Sequence, residues 1–235
     1  MRVLVLGQGK TGKFVAEVAA ERGHSVHVLD AKENANAAAL TFPFVAGFDV
    51  VIDFTTPEAA VQNMRAVLAA GAKMVVGTTG WYEKLADMRG LAERKQAGLL
   101  YGTNFSVGVQ VMLQLGRKMG ELLKDAGYEF SIEETHHTSK VDSPSGTAKT
   151  LASVVLEGLG TSQRDQFHHV VPINAHRMGD VAGIHTLEAK SAGDKLVLTH
   201  EAHSRRGFAE GAVRAAEWLS TRTGCYDFKD VYTQM

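Results

Sequence analysis

The strongest constraint on the fold is an alternation of apolar, strand-like stretches with helical patterns along the first part of the chain. The apolar stretches are nearly continuous rather than alternating with polar residues, which indicates strands buried on both faces. They comprise residues 3–6, 25–30, 49–54, 73–77 and 99–101, and the helical patterns comprise residues 14–22, 57–70 and 81–96. This order predicts a parallel sheet with helices on both of its faces.

The pattern changes after Phe105. Helices are predicted at residues 107–123, at residues 207–221, and from the Ser-Gly-Thr turn at 145–147 to about Leu159. Strands are predicted at residues 128–135, 169–176, 183–189 and 195–203. The later strands alternate in polarity, which favours an open antiparallel or mixed sheet with one exposed face. The last helix leads into a short tail. We therefore predict a second, α+β domain after the first.

A glycine-rich turn lies between the first strand and the first helix. Glycines at its first, third and sixth positions permit a tight turn and let the backbone approach a pyrophosphate at the start of the helix. The predicted cofactor contacts in the turn are Gly7, Gln8, Gly9, Lys10, Thr11 and Gly12. We therefore predict an α/β protein with a Rossmann-type dinucleotide-binding domain at residues 1–105 and 206–235, and a second domain at residues 106–205.

Asp30 ends the second strand, where a carboxylate can accept hydrogen bonds from an adenosine ribose. The same carboxylate repels a 2′-phosphate, so NADH is favoured, and the nearby Lys32 keeps NADPH open as the alternative. Gly7, Gly12 and Lys13 also match the start of a nucleoside-triphosphate loop. Phe14, however, stands where a Ser or Thr should meet magnesium, so that interpretation fails.

Composition excludes several classes of protein. The 235 residues are 45% hydrophobic and 22% charged, as in globular proteins, and the formal net charge of −1 leaves no footprint for nucleic acid or a membrane surface. The single cysteine, Cys225, excludes an internal disulfide and a cysteine-based metal site. No apolar run has the length of a signal sequence or a membrane span, and we expect a cytoplasmic protein.

Residues 136–147 combine two histidines, a lysine and a Ser-Gly-Thr turn ahead of a helical run. Such a segment offers proton donors and acceptors, a positive charge, and helix N-terminal N–H groups that hold anions. It predicts a site where a small anionic substrate is bound and protonated. A zinc site on His136, His137 and His176 or His185 is disfavoured, because adjacent histidines lack ligand spacing and no carboxylate or cysteine completes the set, so no metal is predicted.

The run of residues 134–148 resembles the hallmark segment of the 4-hydroxy-tetrahydrodipicolinate reductase family. Further matches in the family's order lie at residues 77–80, 104–109, 177–181, 183–186, 204–205 and 208–209. Two departures concern the cofactor side: Gly7 and Gly9 are separated by one residue where the family usually has two, and residues 31–47 form a shorter region.

The resemblance implies an NAD(P)H-dependent oxidoreductase that reduces 4-hydroxy-tetrahydrodipicolinate, with loss of water, in the diaminopimelate route to lysine. It implies that His136 is a general acid/base, that Lys140 is the proton donor, and that His137, Gly146 and Thr147 contact the substrate. Chemistry adds Ser145, whose hydroxyl and backbone N–H, with those of Thr147, suit a substrate carboxylate. His136 and His137 would point to opposite faces of a continuing strand, so both line the substrate only if the chain has turned into a loop.

The remaining predicted cofactor contacts also follow from the resemblance. They are Gly77, Thr78, Thr79, Gly102, Thr103, Asn104 and Phe105. The resemblance further implies a homotetramer assembled through the sheet of the second domain, whose outer face is expected to be apolar. Two rivals remain: another small-substrate dehydrogenase, which would need a different substrate motif, and a non-catalytic dinucleotide sensor, which would not need His136 and Lys140 together.

Overall fold

The structure, a computed structural model, describes residues 1–160 and 171–235. Its contacts divide the chain into two compact units, the first comprising Met1–Val107 and Arg205–Met235 and the second Gly108–Ser204. In the described residues, no helix is both long and apolar enough to cross a membrane.

The first unit is built on a six-stranded, wholly parallel sheet. Its strands are β1 (Arg2–Leu6), β2 (Ser25–Leu29), β3 (Val50–Asp53), β4 (Lys73–Val76), β5 (Gly98–Tyr101) and β10 (Gly224–Asp227), and its helices are α1 (Lys10–Glu21), α2 (Phe42–Val45), α3 (Pro57–Ala69), α4 (Leu85–Arg94), α7 (Arg206–Leu219) and α8 (Phe228–Val231). The strand order β10-β5-β4-β3-β1-β2 confirms the predicted Rossmann-type sheet. From β1 the chain adds β2 on one side and then β3, β4 and β5 on the other, so the order of connection reverses between β1 and β3.

The predicted short tail is wrong, because residues 224–227 form a sixth strand. Strand β10 pairs in parallel with β5, with Cys225 opposite Leu99 and Tyr226 opposite Leu100. Helices α1 and α7 pack on one face of the sheet around Val5, while α3 and α4 pack on the other around Met74. Burial on both faces explains why the four central strands, β1, β3, β4 and β5, are mostly apolar.

The second unit carries a separate four-stranded mixed sheet, as predicted. It contains β6 (Glu129–His136), β7 (Ile173–Arg177), β8 (Gly183–Lys190) and β9 (Lys195–Ala202), with helices α5 (Val107–Leu123, of which Val107 falls in the first unit) and α6 (Gly146–Gly158). The order is β7-β6-β8-β9, with β7 parallel to β6 and the other pairs antiparallel. The predicted strand at 169–176 begins outside the described residues.

The outer face of this second sheet differs from the expectation. One face of β6 packs Phe130 and Ile132 into a core with Leu151 and Val155 of α6. The other face is largely polar, and it consists of Glu129, Ser131, Glu133, Thr135, Asn174, His176, Ile184, Thr186, Glu188, Lys190, Lys195, Val197, Thr199 and Glu201. The prediction of an apolar outer face is therefore wrong. Successive side chains of a strand point to opposite faces, so the alternating sequences of these strands place the apolar residues on the core face and the polar residues on the outer face.

Candidate active site

Two glycines of the turn after β1 are required by the protein's own atoms. Gly7 has a φ of +101°, and a Cβ there would lie 2.4 Å from the carbonyl oxygen of Phe54. A Cβ on Gly12 would lie 2.1 Å from the carbonyl oxygen of Gly7. These distances are far inside van der Waals contact, so both glycines let α1 start close against the ends of β1 and β3.

Gly9 has no such packing reason. It caps the N-terminus of α1, and a Cβ there would meet no heavy atom of the described residues within 4 Å. The first turn of α1 has no acidic residue and no side-chain cap, so it keeps the positive potential of a helix start. A glycine facing open space at this position fits a turn whose backbone is approached by a pyrophosphate.

Two clefts flank Gly9 at the strand-order reversal between β1 and β3. One of about 410 Å³ is lined by Lys10, Thr11, Gly77, Thr78, Thr79 and Arg205 among others, and the second of about 460 Å³ is lined by Gly7, Gln8, Asp30, Asn34 and Asn63 among others. Both are lined by Gly9, Phe54 and Thr55, so they adjoin at the turn, and we call the two together the groove. The structure thus brings Asp30, the turn and residues 77–79 together, as a dinucleotide needs. Arg205, to which sequence alone assigned no firm role, also lines this groove.

Asp30 is held ionised by its own loop. Its Oδ1 accepts hydrogen bonds from the backbone N–H groups of Lys32 (2.7 Å) and Glu33 (2.9 Å), and these bonds hold the pKa of Asp30 below its usual range. The Glu33 side chain accepts the Asp30 N–H in return, at 2.9 Å. Both bonds that the described residues make to this carboxylate fall on Oδ1, and Oδ2 can accept a hydrogen bond from a ribose hydroxyl.

The buried carboxylate of Asp53 organises the edge of the groove. Its Oδ1 accepts the hydroxyls of Thr78 (2.6 Å) and Thr55 (2.8 Å), and its Oδ2 accepts Asn63 Nδ2 (2.7 Å). Burial raises the pKa of Asp53, while these hydrogen bonds oppose the rise. The Thr78 hydroxyl is therefore used inside the protein, whereas Thr79 is exposed. Asp53 was not among the predicted site residues, although an acidic residue at the end of an apolar strand is a visible signal in the sequence.

Residues 102–105, predicted as cofactor contacts, divide into a core part and an exposed part. Phe105 is buried and packs against Phe228 with ring centroids 4.6 Å apart. A Cβ on Gly102 would lie 2.9 Å from Cβ of Phe228, so this glycine serves packing. Thr103 is exposed, and Asn104 Oδ1 accepts the Ser106 N–H at 2.8 Å. The side chain of Phe105 thus belongs to the core, and its contact with a cofactor stays a prediction.

In the second unit, His136 and His137 are separated by the end of β6. His136 is the last residue of the strand and is buried, 7% exposed, with its ring 5.0 Å from that of His185. His137 lies in the loop that follows, half-buried, with Nδ1 2.8 Å from Ser139 Oγ. The structure therefore gives the two histidines different surroundings.

The loop after β6 contains a carboxylate, that of Asp142, which is bound by other residues of the same segment. The Lys140 ammonium donates a hydrogen bond to Asp142 Oδ1 at 2.7 Å. This bond is the main reason why the pKa of Asp142 lies below its usual range. Burial opposes the shift, and backbone groups that include the Gly146 N–H add to it. A Cβ on Gly146, at the start of α6, would meet no heavy atom within 4 Å in the part of the chain that the structure describes. Ser145 is buried, and its hydroxyl accepts the Ala148 N–H at 3.2 Å. Lys140 and the Gly146 N–H thus both act on the carboxylate of Asp142, and their binding of a substrate carboxylate stays a prediction.

Arg177 fixes the same loop from β7. Its guanidinium donates to the carbonyl oxygens of Asp142 (2.6 Å) and His176 (2.8 Å), and the Met178 N–H donates to the His136 carbonyl at 2.8 Å. In the sequence, Arg177 stands out only as part of the match to the family at residues 177–181. Its pairing opposite His136 in parallel strands explains how it reaches the loop.

Both halves of the chain match models of one family. The model described as "Dihydrodipicolinate reductase, N-terminus" matches residues 1–105, and that described as "Dihydrodipicolinate reductase, C-terminus" matches residues 108–232. The chain belongs to the dihydrodipicolinate reductase family. A relative named 4-hydroxy-tetrahydrodipicolinate reductase in Christiangramia forsetii is 36% identical, over 100% of this chain and 99% of its own. One of the same name in Natronomonas pharaonis is 38% identical, over 98% and 99%.

Solved structures agree with this family at the level of fold. A dipicolinate-bound dihydrodipicolinate reductase from Paenisporosarcina sp. superposes with a TM-score of 0.77 at 22% identity, covering 98% of this chain and 99% of that one. The C. glutamicum DAP dehydrogenase in complex with DAP superposes with a TM-score of 0.55 at 10% identity, covering 98% and 93%. The family's two-part architecture of a Rossmann-type sheet and a separate mixed sheet is thus shared.

Proposed function

We propose that the chain is a 4-hydroxy-tetrahydrodipicolinate reductase of the diaminopimelate route to lysine, acting in the cytoplasm. The substrate, (2S,4S)-4-hydroxy-2,3,4,5-tetrahydrodipicolinate, takes one hydride from NAD(P)H and one proton, loses water, and gives (S)-2,3,4,5-tetrahydrodipicolinate and NAD(P)⁺. The observation that carries the proposal is the whole-chain match to relatives with this name. Membership of the family also supports the use of a nicotinamide cofactor.

Each unit offers what one half of the reaction needs. We propose that residues 1–105 with 206–235 bind the dinucleotide, with its pyrophosphate at Gly9 and its adenosine ribose at Asp30. Bound nicotinamide supplies the hydride. Residues 106–205 bind the substrate, a small dicarboxylate. The contacts of Asp142 support this, because its carboxylate is bound by Lys140 and by the start of α6, as a substrate carboxylate would be.

Within the second unit, the side chains divide the work. The N–H groups of Gly146 and Thr147 and the Thr147 hydroxyl hold one substrate carboxylate at the helix start. Ser145 was predicted to share this role, but its N–H and hydroxyl are bonded to Glu134 and Ala148, so it caps the helix instead. Lys140 donates the proton that accompanies the hydride, His136 acts as a general acid/base, and His137 contacts the substrate. Lys140 has to exchange its bond with Asp142 for one with the substrate, which makes the Asp142 carboxylate a placeholder for the substrate anion.

The test is NADH oxidation with 4-hydroxy-tetrahydrodipicolinate freshly made by its synthase. We expect NADH absorbance to fall only when substrate is added. Turnover with another imino or oxo acid and none with this substrate would indicate a different dehydrogenase. Binding of NADH without turnover of any such substrate would indicate a non-catalytic sensor.

Asp30 leads us to propose NADH as the preferred cofactor. Because the carboxylate is ionised at neutral pH, it attracts ribose hydroxyls and repels a 2′-phosphate. We expect kcat/KM to be higher with NADH than with NADPH. Asp30→Ala should lower the ratio of the NADH value to the NADPH value. Asp49→Ala, which removes an exposed carboxylate that accepts the Arg2 N–H, serves as the control. A strong NADPH preference in the wild type would overturn the proposal.

We also propose a homotetramer, as the family resemblance implies, although the outer face of the sheet is polar. Strand β9 is an unpaired edge among the described strands, and it exposes Leu196 and Val197 by 47% and 51%. Such an edge is a surface that proteins normally cover. We expect the molar mass in dilute solution to be four times that of the chain, and a mass corresponding only to monomer would contradict the proposal.

A further inference from the structure

Glu134 is a buried carboxylate to which the reaction outlined above gives no role. It lies two residues before His136 on β6, so both side chains project from the same face of the strand. Its direct neighbour on β8 is His185. Glu134 is 1% exposed, and a carboxylate so deeply buried is costly unless other groups compensate its charge.

One carboxylate oxygen of Glu134 holds the start of α6. Glu134 Oε1 accepts the backbone N–H of Ser145 at 2.9 Å. Ser145 is the N-cap of α6, and its own hydroxyl accepts the Ala148 N–H and lies 3.3 Å from His185 Nε2. The Arg177 guanidinium lies 3.8 Å from the same Oε1. The position of the helix start, where the substrate carboxylate is proposed to bind, therefore depends on Glu134.

The second carboxylate oxygen faces the two buried histidines. Glu134 Oε2 lies 3.5 Å from His136 Nδ1 and 3.6 Å from His185 Nε2. Among the described residues, Oε2 and His136 Nδ1 make no hydrogen bond. The far side of the His136 ring faces Gly183, where a Cβ would lie 3.1 Å from His136 Nε2. The imidazole is thus confined between the carboxylate and a glycine that leaves it room.

We propose that Glu134 is a positioning residue that orients His136 through Oε2 and anchors the anion-binding start of α6 through Oε1. This rests on the roles proposed above for His136 and for the start of α6. A carboxylate beside Nδ1 favours the tautomer protonated there and leaves Nε2 as the working nitrogen. Distances of this kind shorten when a catalytic complex forms. One side chain thereby couples the group that handles protons to the turn that holds the anion.

Charge supports this arrangement over a metal site. Ligand atoms of Glu134, His136 and His185 lie within 4.8 Å of one another, close enough for three donors to one cation. Arg177 already neighbours the carboxylate, and the positive charges of Lys140 and Arg177 both act on His136. A divalent cation would face these two fixed charges. We therefore favour the positioning role and treat a bound metal as an outcome of the test.

The test compares Glu134→Gln with Glu133→Gln. A glutamine at 134 can still accept the Ser145 N–H, but its NH₂ group donates to His136 Nδ1 and favours the wrong tautomer. We expect kcat to fall roughly 10- to 100-fold or more, as when the carboxylate partner of a functional histidine is removed, with KM changing much less. Glu133 lies on the opposite face of β6, where it bonds Asn174 and His176, so its variant should retain wild-type kcat.

The pH profile distinguishes positioning from a merely structural effect. Burial lowers the pKa of His136, and the charge of Glu134 raises it in part. Removing that charge lowers the pKa further, so the limb of the kcat profile that reports protonated His136 should move to lower pH. Glu134→Asp keeps the charge but shortens the reach. Its kcat should therefore fall while its limb stays near that of the wild type, and this second variant also serves if Glu134→Gln does not fold.

Three results would overturn the positioning role. They are a Glu134→Gln variant with wild-type kcat and pH profile, an equal loss of kcat in Glu133→Gln, and stoichiometric Zn²⁺ retained by the wild type after chelation but absent from Glu134→Gln. Failure of the proposed function gives different results, because the wild type would then not turn over the substrate, or His136→Ala would retain wild-type turnover. An inactive His136→Ala beside a fully active Glu134→Gln contradicts the positioning role alone.

Discussion

Replacing Lys140 with alanine is expected to lower kcat by roughly 100-fold or more, and His136→Ala by a similar factor, the usual scale for a positioned proton donor or acceptor. The Lys140 ammonium lies beside the start of α6, bonded to Asp142 at 2.7 Å, where a substrate carboxylate would replace its partner. His136 lies behind it, buried on the strand that leads into the loop. Steady-state kinetics with NADH and freshly made substrate measure both variants.

Lys140→Arg separates the charge of the lysine from its proton. Arginine keeps a positive charge but holds its proton too tightly to donate it near neutral pH. We expect KM for the substrate to stay within a few-fold of the wild type while kcat falls nearly as far as in Lys140→Ala. His176→Ala and Lys195→Ala remove exposed side chains from the same unit and should retain wild-type kcat. Wild-type turnover in both Lys140→Ala and His136→Ala would remove the catalytic assignment.

The first unit was largely predictable because its determinants are local. Continuous apolar strands, helical periodicity and the glycine turn each occupy a few consecutive residues, and parallel order follows from their alternation. The strand at residues 224–227 was missed because its Gly-Cys-Tyr-Asp sequence is short and only half-buried, so its strand character comes from pairing with β5. Such long-range pairing leaves no mark on local periodicity.

The chemistry of the site was predictable by residue type, while its connections were not. Sequence alone placed Lys140 and the Ser145–Thr147 turn in one anion-binding segment. In the structure Lys140 binds the carboxylate of Asp142, and substrate binding by this segment stays a prediction. Sequence alone did not reveal Glu134, because His185, which faces it across the sheet, is distant in sequence. The argument that no carboxylate accompanies the histidines was wrong for the same reason. The i, i+2 spacing of Glu134 and His136 on a predicted strand was the available signal.

The glycine turn allows cofactor binding to be separated from stability. In Gly9→Ala the new Cβ points into open space, so the free energy of unfolding without cofactor should change by less than about 1 kcal/mol, the scale for replacing a glycine cap. In the proposed complex, however, the methyl group occupies the path of the pyrophosphate toward the backbone. We expect the Kd for NADH to rise by about tenfold or more, since lost hydrogen bonds to a charged group each contribute about 1.5–3 kcal/mol. NADH fluorescence titration measures the affinity, and thermal unfolding followed by circular dichroism measures the stability.

Gly12→Ala is the matched variant, with the same methyl group added three residues later. Its Cβ would lie 2.1 Å from the carbonyl oxygen of Gly7, so the start of α1 has to shift. Overpacking of this kind costs about 1–3 kcal/mol, which lowers the unfolding midpoint by several degrees in a chain of this size. Gly12→Ala should therefore lose both stability and NADH affinity, whereas Gly9→Ala should lose affinity alone. Unchanged NADH affinity in Gly9→Ala would mean that the open space at Gly9 does not receive the pyrophosphate, and the cofactor would then have to be assigned to another part of the groove.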